Sequence, residues 1–289
     1  LLGLHQLDPA RYPCLLESVT SNPGLARYDL LFAEPQQELL LDGAGELTLD
    51  GKPLDGQSDF LGAFDRWWQQ EKCSHDTGDW PFQGGWVVFL GYELLHQIEP
   101  SVPSSIAGLS NQPIASARRV PVALMRDQLL GRCVLLAEPG QEALVARVKA
   151  DLVTLESQRA SGFGEMPAPV GALTEDPAEQ FLSGVERIKR YIHEGDVFQV
   201  NLSRAWRWSE VAISPAELYS ALRESNPAPF AGLWVREGHA VVSSSPERLV
   251  EVRGGRLSSR PIAGTRPRRG ESEQDRLLQQ ELLEHPKER

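Results

Sequence analysis

The chain has 289 residues, a hydrophobic fraction of 41%, 7 Trp and a formal net charge of −11. Such a length allows about two domains with a sizeable core, and the composition excludes a disordered chain. The acidic balance argues against nucleic acid or an anionic membrane as partner and leaves a small or neutral ligand as the expectation.

In chain order, short apolar runs at 28–32, 38–41, 86–90, 120–125 and 131–137 are separated by Gly, Pro, Asp and Asn, and read as strands. Helices are expected over 59–71 and 141–157, the second with Ala143, Val145, Val148 and Leu152 near helical spacing. Cys14, Cys73 and Cys133 are few and far apart, which suits three small hydrophobic thiols in a reducing compartment and no metal cluster. No stretch reaches the ~18 apolar residues of a membrane helix and no leader opens the chain, so a cytoplasmic protein is expected. Residues 159–174, rich in Gly, Pro, Ala and Ser, read as a linker between a domain at 1–158 and another at 175–289.

The second block opens with Asp176 as a cap and Pro177 at the first helical position. Phe181, Val185, Ile188 and Ile192 then form one apolar stripe, and Gly195 stops the helix. D-V-F-Q-V-N-L-S alternates, with Phe198, Val200 and Leu202 on one face and Gln199, Asn201 and Ser203 on the other. That polar face points either to water or into a polar cavity. S-P-A-E at 214–217 signals a short helix, and 232–236, 239–243, 248–253 and 256–262 read as an antiparallel meander. Strands grouped rather than alternating with helices indicate an α+β fold.

Glu247 stands at the mouth of a strand. It becomes a candidate general acid or base if the segment 261–268 converges on it. There Gly264 permits close backbone approach, Thr265 offers a hydroxyl, and Arg266 and Arg268 offer forked donors; the alternative is a solvated basic loop. Dinucleotide and phosphate-loop spacings, a histidine zinc pair and a Gly-x-Ser-x-Gly elbow are all missing from the sequence.

F-Q-G-G-W-V-V-F-L-G-Y-E-L (82–94), G-D-V-F-Q-V-N-L-S (195–203), N-P-A-P-F (226–230), S-P-E-R (245–248) and P-I-A-G-T-R-P-R (261–268) occur in that order. Together they resemble the large subunits of the chorismate-utilising enzymes, anthranilate synthase component I and aminodeoxychorismate synthase component I. The resemblance implies two antiparallel sheets packed face to face with helices outside. It also implies Mg²⁺-dependent amination of chorismate by ammonia from a glutamine amidotransferase subunit. By motif match Glu247 is the acid/base, Gly264 and Thr265 lie against chorismate, and Gln199 and Asn201 face the interior. The resemblance further implies a tryptophan pocket walled by Leu16, Glu17, Ser18, Arg27, Tyr28, Asn226, Pro227, Ala228, Pro229 and Phe230.

Arg27-Tyr28-Asp29 and Ala228-Pro229-Phe230 resemble the aminodeoxychorismate, or folate, branch. Folate-branch members often read P-I-K-G-T, with the Lys as a nucleophile toward the ring; Ala263 here matches anthranilate synthases instead. The family's metal carboxylates fall beyond Arg289, so the resemblance leads us to expect a chain incomplete at its carboxyl end, without metal ligands and inactive alone. The other readings are an anthranilate synthase component or a non-catalytic tryptophan-binding module.

Overall fold

Pro121 has no N–H to give to a ladder, and at that residue the apolar run from 115 to 127 passes from one sheet to another. The single strand expected at 120–125 is therefore two, one in each of two sheets. The structure, a computed structural model, describes residues 1–19, 27–54, 56, 59–72, 80–102, 112–158, 171–209, 212–262, 264–268, 270 and 272–285. Cys73, Ala263, most of the expected linker (159–170) and residues 286–289 lie outside the described residues.

The first elements are α1 (Leu2–Leu7), β1 (Cys14–Glu17), β2 (Tyr28–Ala33), β3 (Glu38–Leu41), β4 (Leu47–Leu49) and β5 (Lys52–Pro53). Next come α2 (Phe60–Glu71), β6 (Gly85–Leu90), α3 (Leu95–Ile98), β7 (Ala115–Val120), β8 (Val122–Asp127), β9 (Arg132–Ala137) and α4 (Glu142–Gln158). Then follow β10 (Leu173–Glu175), α5 (Ala178–Glu194), β11 (Trp206–Trp208), α6 (Pro215–Ser225), β12 (Phe230–Arg236) and β13 (His239–Ser245). The described chain closes with β14 (Arg248–Arg253), β15 (Arg256–Arg260) and α7 (Ser272–Glu284).

Two antiparallel sheets carry the core, in the orders β13-β12-β1-β2-β8-β9 and β5-β4-β3-β7-β6. Alternation along each strand assigns one face to each layer. On β1 and β2, Leu15, Leu31 and Ala33 pack outward against Leu4 of α1, Val148 of α4 and Tyr219 of α6. Cys14 and Phe32 turn inward, where they meet Trp234 of β12, Val120, and Val87 and Phe89 of β6. The Phe89 and Trp234 rings stack at 4.8 Å across this interface. Burial there pushes the Cys14 thiol up to about 12, which leaves it an inert hydrophobe. On the far side α2 lays Phe60, Ala63 and Trp67 on β3, β4 and β7. The result is the α+β arrangement of two packed sheets with helices outside. β12 and β13, which follow the expected linker, sit in one sheet with β1 and β2.

Several local expectations change. The meander is two hairpins in separate sheets, because among the described residues β13 pairs only with β12, and β14 pairs with β15. The break falls at Pro246, which again cannot donate to a ladder. The alternating run at 197–203 forms no strand among the described residues, since no partner lies beside it, and Gln199 and Asn201 are exposed rather than interior. Asp176 is not the cap of α5; it accepts the Ala205 N–H at 2.8 Å and pairs with Arg207. On α4 the stripe on the core is Val148 with the half-buried Leu144, Leu152 and Leu155, which keeps the expected Val148 and Leu152 and takes Leu144 and Leu155 in place of Ala143 and Val145.

Candidate functional site

The three segments named as pocket walls meet at one end of the six-stranded sheet. β1 lies between β2 and β12, with Leu16 opposite Leu30 on one side and Gly232 on the other. The loop 226–229 continues that ladder through the Val19 N–H, which donates to the Ala228 carbonyl at 2.8 Å. Pro227 and Pro229 have no N–H, so the carbonyls are the handles by which this loop is held. Ser18 Oγ donates to the Pro229 carbonyl at 2.9 Å, and Ser244 Oγ to the Asn226 carbonyl at 2.5 Å.

Neighbouring residues on β1 point to opposite faces, and the two faces differ in chemistry. On the outer face Glu17 is buried beneath α6, where it accepts the Tyr219 hydroxyl at 2.9 Å and pairs with Arg223 at 3.1 Å. Asp29 is fully buried beside it and holds Arg126 at 2.6 Å, Gln128 at 2.8 Å and the Ser18 N–H at 3.0 Å. Burial, with the Glu17 carboxylate alongside, pushes the Tyr219 phenol up from its ordinary value, so it acts as a permanent donor. On the opposite face Leu16 is 44% exposed, and Gly232 makes room for it, since a Cβ there would lie 3.2 Å from Leu16 Cδ2. Arg27 stacks on the Tyr28 ring at 4.6 Å and reaches Asp127 at 3.4 Å. Asn226 and Pro227 are exposed, Ala228 is buried, and Pro229 and Phe230 are half-buried. This leaves an open, largely apolar face at Leu16 and a closed ionic face at Glu17.

The second predicted cluster also comes together. Ser245 Oγ accepts the Glu247 N–H at 3.4 Å and donates to the Glu247 carbonyl at 3.0 Å, bracketing Pro246. The exposed Glu247 carboxylate accepts the Ile262 N–H through Oε1 at 3.0 Å, so the 261–268 segment does converge on it. Gly264 is half-buried and Thr265 exposed, while Arg266 is taken by Glu281 of α7 at 2.9 Å. Such a set can present one carboxylate beside a backbone loop of small residues. Sequence reasoning missed Arg126, Tyr219, Arg223 and Ser244, and named Asp29 only as part of R-Y-D. The buried acids they serve, Glu17 and Asp29, carried a signal, because a charge inside an apolar run needs a partner.

The F-Q-G-G-W motif lies elsewhere, lining a cleft of about 850 Å³ between α2 and β6. Its glycine is structural: Gly84 has φ +109°, and a Cβ would meet the Glu138 side chain at 2.1 Å. That approach lets Glu138 grip Arg119 with two bonds of 2.7 Å while the guanidinium stacks on Trp86 at 4.6 Å. Among the described residues no three His, Cys, Asp or Glu gather in a group that could hold a metal ion. None of the described helices is long and apolar enough to cross a membrane.

A family model described as chorismate binding enzyme matches residues 16–289. Aminodeoxychorismate synthase component 1 of Bacillus subtilis is 32% identical over 86% of this chain and 54% of its own length. An anthranilate synthase component I-like protein of Synechocystis is 34% identical over 99% of the chain and 56% of its length. Anthranilate synthase component 1 of Thermus thermophilus is 32% identical over 84% and 52%. The crystal structure of anthranilate synthase component I from Streptococcus pneumoniae superposes with a TM-score of 0.68 at 25% identity, over 93% of this chain and 59% of that one. The chain thus spans a little over half the length of the relatives it matches.

Proposed function

The chain belongs to the chorismate-binding enzyme family, and on that premise we propose that it serves in the large subunit of aminodeoxychorismate synthase. There it would take part in aminating chorismate to 4-amino-4-deoxychorismate, with ammonia from a glutamine amidotransferase subunit. The observation that carries the reading is the contact between Glu247 Oε1 and the Ile262 N–H, which joins S-P-E-R to P-I-A-G-T. With Oε1 so held, Oε2 is the oxygen through which Glu247 exchanges a proton with substrate, as general acid or base. Gly264 and Thr265 lie against the ring. The apolar face at Leu16, with Ser18, Tyr28 and the 226–230 loop, takes the indole of tryptophan, while Glu17 holds α6 in place from the other face. Position 263 is Ala, and a methyl group forms no covalent adduct, so ammonia attacks the ring directly, its C–N bond replacing the C4–OH bond as the hydroxyl leaves as water. The described residues do not fit the Mg²⁺ expected of this chemistry, and no step is derived through it.

Anthranilate synthase is the second reading, favoured by Ala263 and by relatives of that name at similar identity. Incubating the complete large subunit with chorismate and an ammonium salt, and resolving the product by chromatography, decides between them. 4-Amino-4-deoxychorismate supports the first reading and anthranilate the second. Tryptophan binding with no turnover of chorismate leaves only a binding module. In the same assay Glu247→Gln is expected to lower turnover by about 10²-fold or more with an unchanged circular dichroism spectrum. Undiminished turnover removes Glu247 from the mechanism.

A further inference from the structure

The proposed pocket wall and the proposed acid/base flank the open end of one β-ribbon. Phe230, the last residue of N-P-A-P-F, is the strand partner of Ser245, and Ala231 is the partner of Ser244. Ser244 Oγ crosses back from β13 to the Asn226 carbonyl, on the loop that Ser18 and Val19 hold from the β1 side. A second contact runs in parallel, with the Arg248 guanidinium 5.9 Å from the Phe230 ring centroid. From Ser245 the chain turns through Pro246 to Glu247, whose carboxylate then takes the Ile262 N–H. The links are hydrogen bonds, a ring contact and strand pairs, and together they join N-P-A-P-F, S-P-E-R and P-I-A-G-T.

We infer that Ser244 is a positioning residue for Glu247, fixing the carboxylate by tying the end of β13 to the 226–229 loop. The inference rests on the roles proposed above for Glu247 and for that loop. Its physical reason is geometric. β13 ends at Ser245 and β14 is in another sheet, so the ladder that orders the ribbon stops two residues short of Glu247. Next to the last strand pair, Phe230 with Ser245, the Ser244 side chain ties that end of β13 to the 226–229 loop. A ligand seated on the loop therefore moves the Asn226 carbonyl, the end of β13 and Glu247 together, because Ser244 holds that carbonyl and its neighbour Ser245 holds Glu247.

The test is amide hydrogen exchange in the ¹⁵N-labelled 289-residue chain, read at Ile262. Glu247→Ala removes the acceptor and sets the unprotected limit. Ser244→Ala is expected to lower protection at Ile262 by about fivefold, what losing one ordinary hydrogen bond corresponds to. Protection at Leu233 and Val242, paired within the ribbon, should stay within about twofold. Ser244→Thr keeps the hydroxyl and should restore Ile262. Unchanged protection at Ile262 in Ser244→Ala overturns the inference, as does an equal fall at Leu233 and Val242, which marks general loosening. L-Tryptophan added to the unsubstituted chain should shift the Ile262 amide, and should fail to do so in Ser244→Ala. If tryptophan moves none of the amides of Ser18, Val19 and Ala228, the pocket reading fails, while the tryptophan-free comparison still judges Ser244.

Discussion

Two amphipathic helices in this chain have opposite fates. α6 buries Ala216 and Tyr219 against the six-stranded sheet, and its Tyr219 hydroxyl reaches Glu17, 202 residues earlier. α5 has the cleaner stripe, Phe181, Val185, Ile188 and Ile192, yet buries no residue. The same divide runs through the sheets. Leu233 on β12 is fully buried, whereas Leu249 on β14 is 89% exposed. No described side chain of β10, α5, β11, β14, β15 or α7 is buried. An apolar stripe therefore records that a face wants cover, and only the neighbouring layer decides whether cover is there.

The sharpest way to break this contrast is to truncate one leucine in each hairpin. Leu233→Ala should cost about 3–4 kcal/mol in urea denaturation, because a filled core site becomes a cavity. Leu249→Ala should change stability by less than about 0.5 kcal/mol. Equal losses at both sites would show that β14 is covered in solution and end the contrast. A smaller effect is expected at the join of α6 with β1. Tyr219→Phe deletes one donor from the buried Glu17 carboxylate, at a cost of about 1–2 kcal/mol. No loss would mean that Arg223 alone satisfies Glu17.

The mildest test concerns pH at the inter-sheet contact. Glu38 of β3 takes Ser116 of β7 at 2.7 Å, Arg118 at 3.1 Å and, from the other sheet, Arg236 of β12 at 2.9 Å. Burial favours its neutral form, yet the bonds from Arg236 and Ser116 hold its pKa below the ordinary carboxylate range. A depressed folded value means the stabilisation is whole above that ordinary range and is lost as pH falls through the folded value. Glu38→Gln should flatten that part of the acid limb in a stability-against-pH series; an unaltered limb removes Glu38 from the pH response.

Much of the body was readable because its signals are local. The capping box at Ser214 and Glu217 starts α6 as its spelling requires, and Asp59 caps α2 by accepting the Gly62 N–H. Gly195 ends α5 at φ 84°, a left-handed position that only glycine takes freely. The candidate site was half readable. Glu247 and the 261–268 segment could be named from residue chemistry, but their meeting at the Ile262 N–H depends on where the β14–β15 hairpin returns. The run at 197–203 misled for the complementary reason. Its alternation is perfect for a strand, but backbone hydrogen bonds need a partner that no local pattern supplies.

By itself, then, the sequence determined the starts of α2 and α6, the end of α5 and the five ordered motifs that resemble chorismate-utilising enzymes. Tertiary structure alone decided that Pro121 hands the chain from one sheet to the other. It also decided that Leu16 and Glu17 serve different faces, and that Ser244 ties the end of β13 to the 226–229 loop. The physical reason is range. Caps, turns and periodicity are settled within a few residues, whereas strand partners and buried charges here are settled in part by segments 202 residues or more apart.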